Sequence, residues 1–182
     1  MERINKFNKT YIVGYHTQEF RYDSQPLEEP IKCKGRTAWL GVGYYFWTDI
    51  EFAHYWGKDF KSGATGHYDI YTANLDIDNC INAVFDEEGY SFLKQSIEDT
   101  IKHFERNGFR VTLETVNRFL ADNIWKDVGI EGIIYDDKPT NPSYKKDRVY
   151  SEIPDLYYKK RIQIVLFNVK NVRNFVLHLE SQ

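Results

Sequence analysis

The sequence is poor in cysteine and lacks any long apolar run, and each shortage removes a class of protein. Two cysteines, Cys33 and Cys80, occur in 182 residues. They stand apart, and no Cys/His group has the close spacing of a zinc site, so reduced thiols and no metal are expected. No stretch reaches the roughly eighteen apolar residues that a membrane helix needs, so no membrane partner is expected. The start, Met1-Glu2-Arg3-Ile4-Asn5-Lys6, lacks the basic end followed by an apolar stretch that export requires. A cytoplasmic location is the expectation. Positive charge is also in short supply: 24 Lys and Arg stand against 27 Asp and Glu, a net charge of -3. That balance argues against a uniformly basic nucleic-acid binder while leaving room for local patches. There is no internal repeat or low-complexity tract.

What is present is apolar and aromatic. Hydrophobic residues make up 42% of the chain and aromatics 16%, enough to bury a core. The length suits one domain spanning 1–182. Tyr11 to Tyr15 is a short β-branched and aromatic run ending at His16, which reads as a strand with the histidine at its carboxyl end. Arg21 to Pro30 reads as a loop. Two glycines, Gly41 and Gly43, precede the aromatic strand Tyr44 to Trp47, where they permit a tight bend or a close backbone approach.

Thr48 or Asp49 can cap a short helix through Trp56, with Gly57 as its stop. Tyr68 to Leu75 reads as a strand whose faces the pattern leaves open. Apolar residues at helical spacing predict helices over Glu88–Asn107 and Thr112–Trp125. Ile130 to Tyr135, Ile162 to Asn168 and Phe175 to Leu179 read as strands, with a polar segment between the first two. The class is α+β, with strands at both ends of the chain and helices inserted between them.

Three polar side chains, His16, Tyr45 and Gln163, each sit on or beside a short apolar strand. Together with their neighbours they resemble the His-Tyr-Glu class of ADP-ribosyltransferases, the class of diphtheria toxin and the poly(ADP-ribose) polymerases. Tyr15-His16-Thr17 resembles the first motif, Gly41-Val42-Gly43-Tyr44-Tyr45-Phe46 the second, Ala53-His54-Tyr55 the Ala-x-Tyr of the following helix, and Gln163 to Val169 the third. The resemblance implies a split two-sheet core and NAD as substrate, with His16 on a ribose hydroxyl and the Thr17 backbone on the nicotinamide amide. Gly43 belongs to the same binding segment, and Tyr45 and Tyr55 enclose the nicotinamide ring. Stacking and cation–π attraction suit a flat cationic pyridinium.

Two positions depart from the family pattern. Thr17 stands where the family has glycine, and Gln163 where it has its catalytic glutamate. A glutamine can accept or donate a hydrogen bond but supplies no negative charge. Such a charge stabilises the oxocarbenium-like state formed when a glycosidic bond breaks, and a neutral amide is no general base. Mono-transfer onto an already nucleophilic acceptor is therefore expected, with catalysis shared by His16, Tyr45 and Gln163. Glu152 is a candidate substitute base.

The stretch from Tyr144 to Arg161 is basic within an acidic chain and interleaves cations with tyrosines. Lys145, Lys146, Arg148, Tyr150, Tyr157 and Lys159 are the candidate acceptor-binding residues, because cations track phosphates while aromatic faces stack bases. RNA or single-stranded DNA is the favoured acceptor, and a protein acceptor stays open. The resemblance also implies a toxin or antiphage role, sometimes with an antitoxin or inhibitor protein as partner. Two alternatives stand beside the transferase: a catalytically dead module that binds NAD, ADP-ribose or a partner, and an NAD glycohydrolase.

Overall fold

A computed structural model describes residues 10–22, 25–34, 38–63, 65–137 and 160–179. The architecture is α+β. Seven strands form one hydrogen-bonded sheet in the order β4-β5-β6-β2-β1-β3-β7, with β1 at Tyr11–Glu19, β2 at Tyr44–Trp47, β3 at Tyr68–Asp76, β4 at Cys80–Asn82, β5 at Gly132–Asp136, β6 at Ile162–Leu166 and β7 at Val172–Leu179. In place of two separately packed sheets there is thus a single strand order. It is narrow at one point, because β1 and β2 pair only at Tyr15↔Trp47. On either side of that junction the ladders are longer: β1 follows β3 from Tyr11↔Asp76 to Glu19↔Tyr68, and β2 follows β6 from Tyr44↔Leu166 to Trp47↔Gln163.

Helix α1, Ile50–Trp56, starts where Asp49 accepts from the Glu51 amide, as its capping chemistry dictates. Gly57 does not end it. The chain continues through a π-helical turn, Gly57–Lys61, and a side-chain carbon at Gly57 would fall 2.3 Å from the Tyr68 ring. This glycine is required for close packing, with no part in stopping the helix.

Helix α2, Glu87–Arg106, follows its apolar spacing closely, and α3, Leu113–Leu120, passes through a π-helical segment, Ala121–Trp125, into the short α4, Lys126–Val128. Several strand readings shift, and one strand has no reading. β1 runs on through Glu19, so His16 lies inside it and not at its end. β4 has three residues and no sequence pattern to announce it. β6 stops at Leu166, after which Asn168 caps a 3-10 turn, and β7 begins at Val172, ahead of Phe175.

Alternation along the strands divides the core. Phe46, Ile134, Ile164 and Leu166 face one side with Ala73 and Leu75. Ile133 and Val165 face the other, where Leu93 and Phe104 of α2 and Val116 and Leu120 of α3 cover them. Tyr45 and Tyr135 pack against this helical layer. A third cluster joins α1 to the sheet through Trp47, Phe52, Ala53 and Ile70.

The two glycines before β2 have separate roles. Gly41 adopts φ +108, a conformation that side chains rarely allow. Gly43 lets β2 approach β6, since an added Cβ would lie 2.5 Å from Val165 Cγ2 and 2.7 Å from the Leu166 carbonyl oxygen. Backbone cannot step aside as a side chain can. Gly43→Ala is therefore expected to lower the unfolding free energy by about 2 kcal/mol through overpacking, whereas Gly63→Ala, with nothing within 4 Å of the new atom, should change it by less than about 0.5 kcal/mol. Urea denaturation of both variants checks this; equal midpoints would show that β2 and β6 have room to separate.

Candidate functional site

The strands that meet weakly at Tyr15↔Trp47 diverge beyond it, and a cavity of about 320 Å³ occupies the gap. This volume lies near the lower end of small-molecule sites, which run from roughly 300 to 1,000 Å³. His16, Thr17 and Gln18 reach it from β1, Tyr45 and Trp47 from β2, and Gln163 from β6. Strand geometry explains the grouping: residues two apart share a face, and Trp47 and Gln163 are directly opposite in register. Three of the chain's four tryptophans, Trp39, Trp47 and Trp56, line the walls.

An antiparallel ladder would continue from Tyr15↔Trp47 through His16 and Thr17 toward Tyr45. Instead the His16 ring crosses the gap, and its Nδ1 lies 2.9 Å from the Tyr45 carbonyl oxygen. A carbonyl only accepts, so Nδ1 carries the hydrogen and, in the neutral ring, Nε2 presents a lone pair. That Nε2 is buried with no hydrogen-bond partner among the described residues. Burial pulls the His16 pKa down to about 4, with a smaller push from the Lys61 charge, while the bond to the Tyr45 carbonyl and the nearby Gln18 side chain act in the opposite direction. At neutral pH His16 is an uncharged acceptor.

Gln163 is buried at 6% exposure and oriented by Trp39, whose indole Nε1 donates to its Oε1 at 2.6 Å. An indole N–H can only donate, so the oxygen must face Trp39 and the amide nitrogen must turn away from it. No described residue accepts from that nitrogen. The support extends outward, since Asn117 of α3 donates to the Trp39 carbonyl at 2.9 Å and the Trp39 ring meets Tyr135 edge-on at 5.6 Å. The helices thus form the layer on which this wall of the site rests.

Tyr45 is pinned at its tip, where its hydroxyl donates to the Gly41 carbonyl at 2.7 Å and accepts from the Leu40 amide at 2.9 Å. Burial raises its pKa above the ordinary tyrosine value, so the hydroxyl stays protonated. Thr17 Oγ1 donates to the Ala53 carbonyl at 2.9 Å, which ties β1 to α1 and occupies the side chain in structure.

Two expected binding residues stand apart from the cavity. Gly43 acts through the approach of β2 to β6. Tyr55 packs beside Phe52 within the α1 cluster, at a ring separation of 6.1 Å, and the neighbouring Trp56 takes the place at the wall. The Trp56 ring stacks on Phe60 at 4.2 Å. Lys145, Lys146, Arg148, Tyr150, Tyr157, Lys159 and Glu152 all lie outside the described residues.

Sequence reasoning passed over Trp39, Lys32, Lys61 and Asp137, which line the same cavity. Lys32 lies 5.7 Å from the Tyr44 ring centroid, and Lys61 pairs with Glu19 at 3.8 Å. Cys33 lines the cavity too and bridges to Gly43 through the backbone. The other thiol, Cys80, is pushed up to about 12, chiefly by burial and further by Asp76, Glu131 and Asp78. Among the described residues no group of three or more His, Cys, Asp or Glu is placed to hold a metal ion, and no helix is long and apolar enough to cross a membrane. Neither a family model, a curated protein nor a solved structure matches the chain.

The buried histidine makes acid stability testable. Unfolded, His16 takes a proton below its ordinary value of 6.5; folded, it stays neutral down to about 4. Across that window the unfolded state holds the extra proton, so stability falls as pH falls, by roughly 3 kcal/mol at full extent. His16→Gln removes this contribution. Urea unfolding at pH 7 and pH 4 should show the native protein losing more stability than the variant, and equal losses would mean that protons reach Nε2 in the folded state.

Proposed function

We propose that the chain is a mono-ADP-ribosyltransferase that cleaves NAD at the nicotinamide–ribose bond and passes ADP-ribose to a macromolecule, with RNA or single-stranded DNA as the favoured acceptor. The observation that carries this reading is the convergence of His16, Thr17, Tyr45 and Gln163, from three separate strands, on one tryptophan-walled cavity. The motif order points to the same four residues, though Gly43 and Tyr55, which it also implicates, are not at the wall. The sheet is one hydrogen-bonded order and not the two sheets the resemblance implies, but it narrows to a single pair between β4-β5-β6-β2 and β1-β3-β7.

The chemistry of the walls suits such a substrate. A ribose hydroxyl both donates and accepts, and the side chains of His16, Gln18 and Gln163 line the cavity that would receive it. Tyr45 and the tryptophans supply faces for a flat cationic ring, which in apolar surroundings gains from stacking and cation–π attraction together. Lys32 and Lys61 bring positive charge to the same space, where a dinucleotide's phosphates need it.

One observation favours the alternative of a catalytically dead NAD-binding module: Gln163 turns a donor, not a negative charge, toward the substrate. Incubation with NAD labelled on its adenylate half, together with cellular RNA, single-stranded DNA and protein, separates the readings. Label removed by nuclease, and absent with His16→Ala, is the expected result. Label removed by protease would retain the enzyme and change the acceptor; free ADP-ribose without labelled macromolecule would make it a glycohydrolase. NAD left intact would leave the binding module.

A further inference from the structure

Among the described residues, the cavity of the proposed transferase is lined by one carboxylate, and it is not on the strand that carries Gln163. Among the described lining residues the charged side chains are Lys32, Lys61 and Asp137. Asp137 follows β5 directly. Its amide donates to the Arg161 carbonyl at 2.8 Å, extending the β5–β6 ladder one step past Asp136↔Ile162. Tyr135 is opposite Gln163, so Asp137, two residues on, shares their face and is the diagonal neighbour of Gln163, about 7 Å away by sheet spacing.

The carboxylate is held. Arg161 donates to Asp137 Oδ2 at 3.2 Å, and the guanidinium is itself fixed, 5.5 Å from the Trp47 ring centroid and 5.6 Å from that of Phe52. We infer that Asp137 is the catalytic carboxylate of this site, supplying the negative charge and the base that Gln163 cannot; the inference rests on the transferase reading above.

The step balances without a further reactant. The bond from ribose C1′ to the nicotinamide nitrogen breaks, and its electron pair leaves with nicotinamide, whose ring becomes neutral. The positive charge passes to the ribose, facing Asp137. An acceptor O–H or N–H then gives its lone pair to C1′, and its proton goes to the Asp137 carboxylate and on to solvent. Burial raises the Asp137 pKa, with a further push from Asp136, while Arg161 opposes. This makes it a stronger base than an exposed aspartate. Gln163, with its oxygen bound to Trp39, serves to hold a substrate hydroxyl.

The test compares the full-length native chain with Asp137→Asn, Asp137→Glu and Asp137→Asn combined with Gln163→Glu. Nicotinamide release measures turnover, and quenching of tryptophan fluorescence by NAD measures binding. Asp137→Asn keeps an oxygen for Arg161 and is expected to lower kcat about 100-fold or more, while the NAD dissociation constant moves by less than about threefold. Asp137→Glu should retain most turnover. Placing Gln163→Glu in the Asp137→Asn background should recover at least about tenfold, because it returns a carboxylate to the adjacent strand.

Full turnover by Asp137→Asn would overturn the inference and leave the transferase reading intact. Binding that weakens in step with turnover, together with a lower melting temperature, would overturn it in favour of a structural pair with Arg161. A native protein that turns over no NAD would remove the transferase reading and the inference with it.

Discussion

The ladder between β1 and β2 stops at Tyr15↔Trp47, and the hydrogen bond from His16 Nδ1 to the Tyr45 carbonyl takes over where further pairing would have come. A continued ladder would bring the strands to the usual spacing of about 4.8 Å and leave no cavity. With the imidazole inserted, the strands separate, the Tyr45 carbonyl remains satisfied, and the ring is locked in one tautomer. One side chain therefore bridges the strands where their pairing ends. The long β1–β3 and β2–β6 ladders make this opening tolerable, since each strand is anchored on its other edge.

The opposite wall is governed by a similar chain of obligations. Asn117 on α3 fixes the Trp39 backbone, the Trp39 indole fixes the Gln163 oxygen, and the remaining amide is left to face the cavity. Each link joins a donor to a group that can accept, so the orientation of Gln163 follows without reference to any ligand. It also explains why two helices far from the motifs in sequence belong to the site. They hold in position the loop that orients Gln163.

Much of this was legible in the sequence, for reasons that differ by residue. His16, Tyr45 and Gln163 lie on or beside short apolar strands whose pattern is strong. The paired glycines before β2 announced a close approach that Gly43 indeed makes to Leu166. Tyr55 was out of reach for a different reason: which residue of a seven-residue helix faces a cavity depends on its docking angle, here set by Thr17 bonding Ala53, and Trp56 takes the position. Asp137 was invisible because it begins a polar, proline-containing stretch. Only its extra rung with Arg161 carries it onto the sheet face. Three-residue β4 is too short for any period to register.

The cost of the arrangement points in the same direction as its geometry. A buried acceptor without a partner destabilises a fold by about 1–3 kcal/mol, and His16 Nε2 is such a group. Replacing the histidine by an apolar residue would relieve that penalty but would leave the Tyr45 carbonyl without the donor that meets it across the gap. On the transferase reading, a substrate that accepts from Gln163 on β6 while resting on the β1 wall would touch both sides of the narrowed sheet at once. Binding there would stabilise the folded chain across the junction that Tyr15↔Trp47 alone spans.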